Sequence, residues 1–195
     1  MIPAKTFCAA LSFVTPASAI KDVRYYLKGV FFEFKAPNSL HVVATDGHRM
    51  HVVELRTDEY DFDASFLVAS EDVVKILALY KKSPGTVTFY PAEKGALGIV
   101  SGDNLATFPV IDGKFPEWRR VVPTGDVADK PGHWHPGYIA DVGKAVSGLQ
   151  KGQKWPCVKL SPIAGSHSAM MRVDAIRTDY PEIVSAFAIV MGIKE

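Results

Sequence analysis

One pattern is written three times along the chain, and it restricts the fold more than any single motif does. Helix-type spacing of apolar residues begins near Ala4, again near Glu71 and again near Gly137, about 67 and then 66 residues apart. Phe7, Ala10, Leu11 and Val14 fall at i, i+3, i+4 and i+7, with Pro3 at the first helical position, so a helix is predicted from Pro3 to Val14. Strand-like runs follow at Tyr25 to Phe34, Leu40 to Ala44 and His48 to Leu55. Phe66 to Ala69 is a short strand. Ser70 then reads as the N-cap of a helix carrying Val73, Ile76, Leu77 and Tyr80, which Ser83-Pro84-Gly85 ends. Strands are predicted next at Thr86 to Tyr90, Leu97 to Ser101 and Leu105 to Val110. The third round opens with a short strand at His133-Trp134-His135 and a helix from Pro136 to Leu149. It closes with strands at Cys157 to Leu160, Ala169 to Ala175 and Ser185 to Ile193. Three strand–helix–three-strand units make an α+β protein with mostly antiparallel sheets and helices on one face. The turn-rich stretch from Val122 to Pro131 is the best boundary between domains.

With 48% hydrophobic and 22% charged residues, the 195-residue chain can bury a proper core. A net charge of +1 and a pI near 7.8 argue for neither a nucleic-acid nor a membrane partner. Cys8 and Cys157 are far apart and read as buried free thiols of a reducing compartment. Met1 to Lys5 lack the basic-then-apolar pattern of a secretion signal, and no apolar run approaches the roughly 20 residues that span a bilayer. A cytoplasmic protein without a membrane partner is the expectation.

Within the long apolar run from Leu40 to Leu55, Thr45-Asp46-Gly47-His48-Arg49-Met50 forms a polar, charged insert. Asp-Gly between apolar runs signals a hairpin turn, because glycine supplies the positive φ such turns need. The turn also brings a carboxylate, an imidazole and a guanidinium together. Acid–base chemistry by Asp46 and His48 lacks a nucleophile or a metal-binding carboxylate cluster. His41, His48, His51, His133, His135 and His167 match no zinc spacing. The residues point away from an enzyme, with neither metal nor cofactor.

Three longer stretches carry a family resemblance. They are Val23-Arg24-Tyr25-Tyr26-Leu27-Lys28-Gly29-Val30, Val43-Ala44-Thr45-Asp46-Gly47-His48-Arg49-Met50, and Asp112-Gly113-Lys114-Phe115-Pro116-Glu117-Trp118-Arg119-Arg120-Val121-Val122-Pro123. In order and spacing they resemble the bacterial DNA polymerase III β subunit, the β sliding clamp family. Ala188-Ile189-Val190-Met191-Gly192-Ile193-Lys194 resembles its C-terminal strand and tail, with Gly192 and Glu195 departing from the family pattern.

The resemblance implies the DNA-clamp fold in a shortened version. Residues 1–123 would correspond to the family's middle domain, 124–132 to a linker, and 133–195 to the second half of its third domain. It implies a processivity factor that encircles double-stranded DNA and tethers a DNA polymerase, and a clamp loader, through short linear motifs. The peptide cleft carried over by position is Leu27, Thr45, Gly47, His48, Arg49, Met50, Pro116, Val121, Ile189, Met191 and Ile193. The DNA contacts carried over are Arg24, Tyr25 and Tyr26, joined by Lys28. Lys5, Lys75, Lys81, Lys82 and Lys144 are further candidates on helices facing a central hole. An apolar groove containing methionine suits varied peptide anchors, and Arg49 is suited to a peptide carbonyl or carboxylate. Three units per chain suggest a homo-oligomeric ring of four chains, a dimer or open assembly being the other possibilities. A clamp-derived module that captures polymerase motifs without encircling DNA is the second reading.

Overall fold

In the computed structural model the described residues are all those outside 59–61, 129–131, 164–169, 176–177 and 194–195. Strand β1 (Ile2–Pro3) leads directly into helix α1 (Ala4–Val14). Strands β2 (Gly29–Lys35), β3 (Ser39–Thr45), β4 (Arg49–Arg56) and β5 (Ala64–Ala69) follow, then helix α2 (Ser70–Tyr80). Strands β6 (Thr86–Pro91), β7 (Leu97–Ser101) and β8 (Asn104–Phe108) complete the second unit. The third unit is helix α3 (Pro136–Leu149) with strands β9 (Val158–Ile163), β10 (Met170–Ala175) and β11 (Ile183–Val190). The α+β, antiparallel expectation holds. His167 and Ala169 lie outside the described residues, as do Lys194 and Glu195.

Two sheets result. One has the order β1-β6-β7-β8; the other has seven strands in the order β5-β2-β3-β4-β11-β10-β9. Every pairing among the described residues is antiparallel. The larger sheet runs straight across the 124–132 segment, because β4 pairs with β11 from Arg49↔Val190 to Leu55↔Ile183.

The two faces of this sheet are covered differently. Helix α1 packs against both α2 and α3, and the main core gathers Phe7, Leu11 and Val14 with Val73, Ile76, Val142 and Val146 over the inward residues of both sheets. The opposite face is closed by the chain between β8 and α3, where Phe115 and Trp118 cover Val43, Met50, Val52, Phe187 and Ile189. Phe115 stacks on Phe31 at 4.7 Å between ring centres.

Several local features differ from the sequence reading. Pro3 sits before α1 with an extended ψ of 131° and pairs with Thr86 rather than opening the helix. Tyr25–Leu27 is a 3-10 turn, not the start of a strand, and β2 begins only at Gly29. A Cβ at residue 29 would stand 2.8 Å from Val68 O, so the strand starts where glycine permits β5 to close in. Ser70 does not cap α2; its Oγ donates to Ser18 Oγ at 2.8 Å. The expected strand at His133 to His135 reduces to one bridge, Trp134↔Gly192. The imidazole of His135 caps α3 by accepting the Gly137 N–H at Nδ1, 3.2 Å away. Both cysteines are free, but only Cys8 is buried; Cys157 is exposed.

Candidate functional site

The β3–β4 turn is shaped almost entirely by its own polar side chains. Asp46 Oδ1 accepts the N–H groups of His48 and Arg49, each at 2.9 Å. Thr45 Oγ1 accepts the Gly47 N–H at 3.0 Å and donates to Arg49 O at 2.7 Å. Gly47 has φ +90°, a conformation that favours glycine. A side chain there would also meet the Arg24 guanidinium, whose nitrogens stand 3.1 and 3.2 Å from the Cβ position.

Arg49 ties this turn to two other elements. Its Nε reaches Asp46 Oδ2 at 3.2 Å, Nη1 reaches Asp141 Oδ2 on α3 at 2.7 Å, and Nη2 donates to Pro16 O at 2.6 Å. The guanidinium carbon also lies 4.6 Å from the ring centre of Tyr138, against which His48 stacks at 6.5 Å. The Arg49 guanidinium holds the Asp141 carboxyl below its usual range. The arginine that the sequence offers to a partner is therefore fully engaged within the protein.

Beside the turn lies a concave cleft of about 150 Å³. Leu27, Met50 and Ile189 are each at most 3% exposed and form its floor. Val121 and Met191 are about 40% exposed and form its rim. Met191 is fixed by its N–H donating to His48 O at 2.9 Å, and Ile189 pairs with Met50 across the β4–β11 ladder. This volume is below the roughly 300–1,000 Å³ of small-molecule sites, and an apolar floor takes apolar side chains.

Of the residues assigned to the cleft from the sequence, Leu27, Thr45, Gly47, His48, Arg49, Met50, Pro116, Val121, Ile189 and Met191 line it. Ile193 does not; it is 52% exposed, and its N–H donates to His133 O. Trp118, Arg24 and Tyr26 also line it. Trp118 is signalled by its place between Pro116 and Val121. The family resemblance assigns Arg24 and Tyr26 to DNA.

Of that second group, Arg24 and Tyr26 line the edge of the cleft, and Tyr25 and Lys28 do not line it. Arg24 makes a two-point contact with Asp22 (Nε to Oδ1 3.0 Å, Nη2 to Oδ2 2.8 Å), which pulls the Asp22 carboxyl down to about 2. Tyr25 is exposed and stands edge-to-face with Tyr26, both against Gly113. Lys28 is half-buried just before β2. Lys5, Lys75, Lys81, Lys82 and Lys144 are exposed; Lys75 pairs with Asp72 and Lys144 with Asp141.

His48 and His135 both lie against the Tyr138 ring, and His167 is outside the described residues. Among the described residues no three metal-capable side chains come together. His51 is fully buried against Phe13, with Nδ1 2.7 Å from Phe13 O and Nε2 without a hydrogen-bond partner among the described residues. Burial pushes its pKa down to about 4. No helix is long and apolar enough to cross a membrane among the described residues.

Comparison with known proteins identifies the family and the fold. The family model described as the central domain of the DNA polymerase III beta subunit matches residues 1–117. The beta sliding clamp of Proteus mirabilis is 34% identical over 105 residues, 54% of this chain and 28% of that protein. The beta sliding clamp of Escherichia coli K12 is 32% identical over the same shares. The matched region thus spans under a third of these relatives' length. In fold, the chain is similar over its whole length to the DNA polymerase III beta subunit of Thermotoga maritima (TM-score 0.76, 18% identity, 65% of that chain). It is likewise similar to the sliding clamp of Bacillus subtilis (TM-score 0.78, 11% identity, 63% of that chain). The match over residues 1–117 and the shared clamp architecture show that this chain belongs to the DNA polymerase III beta subunit, or sliding clamp, family.

Proposed function

We propose that the chain is a non-enzymatic processivity factor that holds a DNA polymerase by gripping a short apolar peptide in the Leu27–Met50–Ile189 cleft. The observation that carries this reading is convergence. Four separate segments (the 3-10 turn at 25–27, the β3–β4 turn, residues 116–121 and the end of β11) supply one small apolar cleft on an exposed face. Buried apolar anchors dominate such interfaces, so a few side chains set affinity. Arg24 and Tyr26 act here as the cleft's rim, and Arg49 holds its wall rather than the peptide.

Encircling of duplex DNA by a homo-oligomeric ring, with four chains supplying twelve units, extends the same proposal, as do a clamp loader among the partners and a cytoplasmic setting. Sliding needs loose phosphate contacts, and exposed Lys5, Lys81 and Lys82 on or just beyond α1 and α2 suit that. Residues 1–123 and 133–195 are then a clamp domain and half-domain joined by the 124–132 linker. One observation favours the second reading, a peptide-binding module that does not encircle DNA. Arg24, which the resemblance gives to DNA, is held to Asp22 at the cleft rim.

Retention on DNA separates the two. A ring loaded on nicked circular DNA is kept through gel filtration and lost when the circle is cut, whereas a module elutes free from both. Light scattering tests the ring itself; a stable monomer at micromolar concentration would sink it. Substituting Met50→Asp abolishes peptide capture under either reading, and an undiminished affinity overturns both.

A further inference from the structure

Residues 150–157, beyond the C-terminal end of α3, form a strapped loop that holds an indole in solvent. Gln150 is 1% exposed; its Nε2 donates to Cys157 O at 2.9 Å and its Oε1 accepts the Cys157 N–H at 2.7 Å. These two bonds close the neck of the loop. Asp179 fastens the other side, its carboxylate accepting the Gly152 N–H at 2.6 Å and Gln153 Nε2 at 3.0 Å. Its own N–H donates to Leu149 O at 2.9 Å.

At the tip Trp155 is 79% exposed, while Trp118 is buried and Trp134 half-buried. Single exposed apolar side chains are ordinary, but an open tryptophan on a pinned loop is not. Lys151 and Lys154 are exposed on the same loop, with Lys154 Nζ 6.0 Å from the ring centre, and Lys159 is exposed two residues past the loop. The local charge is lopsided. From Gln150 to Ile163 the sequence holds Lys151, Lys154 and Lys159 and no Asp or Glu, in a chain whose net charge is only +1. The loop's own acidic neighbour, Asp179, is engaged by the loop's N–H groups.

We propose that this loop binds single-stranded nucleic acid, with Trp155 stacking on an unpaired base and Lys151, Lys154 and Lys159 meeting the flanking phosphates. Every base presents a π-face, so an indole between cations grips a strand without reading its sequence. In a duplex those faces are already stacked, and Trp155 would have no base to cover. An acidic peptide would satisfy the lysines and leave the indole unused. Because Gln150 and Asp179 already order the loop, binding carries little further ordering cost. None of this rests on the peptide cleft.

The test is titration of the full chain with a 20-nucleotide oligothymidylate at low salt, read by tryptophan quenching and by anisotropy of the labelled strand. A duplex of equal length and a polyglutamate peptide run in parallel. The expected result is quenching, an affinity that falls with salt, and binding at least tenfold weaker for both competitors. Trp155→Ala, at an exposed position and checked for an unchanged melting midpoint, lowers affinity by about tenfold. The double change Lys151→Glu with Lys154→Glu flattens the salt dependence. Equal binding of duplex or polyglutamate, unchanged affinity in Trp155→Ala, or a Trp155 shielded from acrylamide in the free protein would each overturn the proposal.

Discussion

Arg49 and His51, two residues apart on β4, point to opposite uses of charge. Arg49 has three partners on three different segments, Asp46, Pro16 and Asp141, so removing one partner loosens the turn without unfolding the chain. Asp141→Asn is expected to cost about 1 kcal/mol of stability, measured as the shift in urea midpoint at pH 7. The sign with pH follows from the lowered carboxyl. Its stabilisation is complete above the ordinary pKa of 3.8 and fades as pH falls through the lower folded value, so wild type and variant converge in strong acid. His51 is buried neutral, and the unfolded chain takes up its proton near pH 6.5 while the folded chain resists until about 4. Stability should fall as pH drops from 6.5 to 4, by about 3 kcal/mol from this group alone. In His51→Gln that part of the acid slope disappears; a slope equal to wild type would contradict the assignment. Exposed rim residues offer the cleanest probe of the cleft. Met191→Asp should leave the melting midpoint in place and weaken peptide binding at least about tenfold by fluorescence anisotropy, since a charge then faces an apolar anchor.

At the scale of elements, periodicity made most of the architecture legible. Helix α3 was readable to its ends despite Gly143 and Gly148, because its Val142–Val146–Leu149 stripe is buried against the core. The sequence predicts a strand at Tyr25–Leu27 because aromatic residues favour strands. The local bonds decide otherwise: Arg24 O accepts the Leu27 N–H, Tyr25 O accepts the Lys28 N–H, and Asp22 takes the Arg24 side chain. That i→i+3 turn swings Arg24 and Tyr26 to the cleft, a placement that side-chain type alone does not reveal. Helix α1 is buried on nearly every side by α2, α3 and the sheets. Phe7→Ala, which empties a fully buried site between Phe32 and Phe89, should cost about 3–5 kcal/mol in urea unfolding.

At the scale of the whole molecule, the three repeats were visible in the spacing, but their joining was not. Nothing in a single strand's sequence names its neighbour, and β4 is apolar on both faces whichever strand it meets. Its pairing with β11 fuses residues on both sides of the 124–132 segment into one sheet over one core. The chain should accordingly unfold in a single cooperative transition by circular dichroism and by tryptophan fluorescence alike. Two resolved transitions would mean the β4–β11 seam is weak. The same seam sets Ile189 and Met191 beside the β3–β4 turn, and the proposed peptide grip depends on it. The most direct measurement is an amide chemical-shift titration of the labelled protein with a five-residue peptide carrying two apolar anchors. The account predicts shifts at Leu27, Gly47, His48, Val121 and Met191, with β6 to β8 unmoved. Shifts centred elsewhere, or none at millimolar peptide, would contradict it.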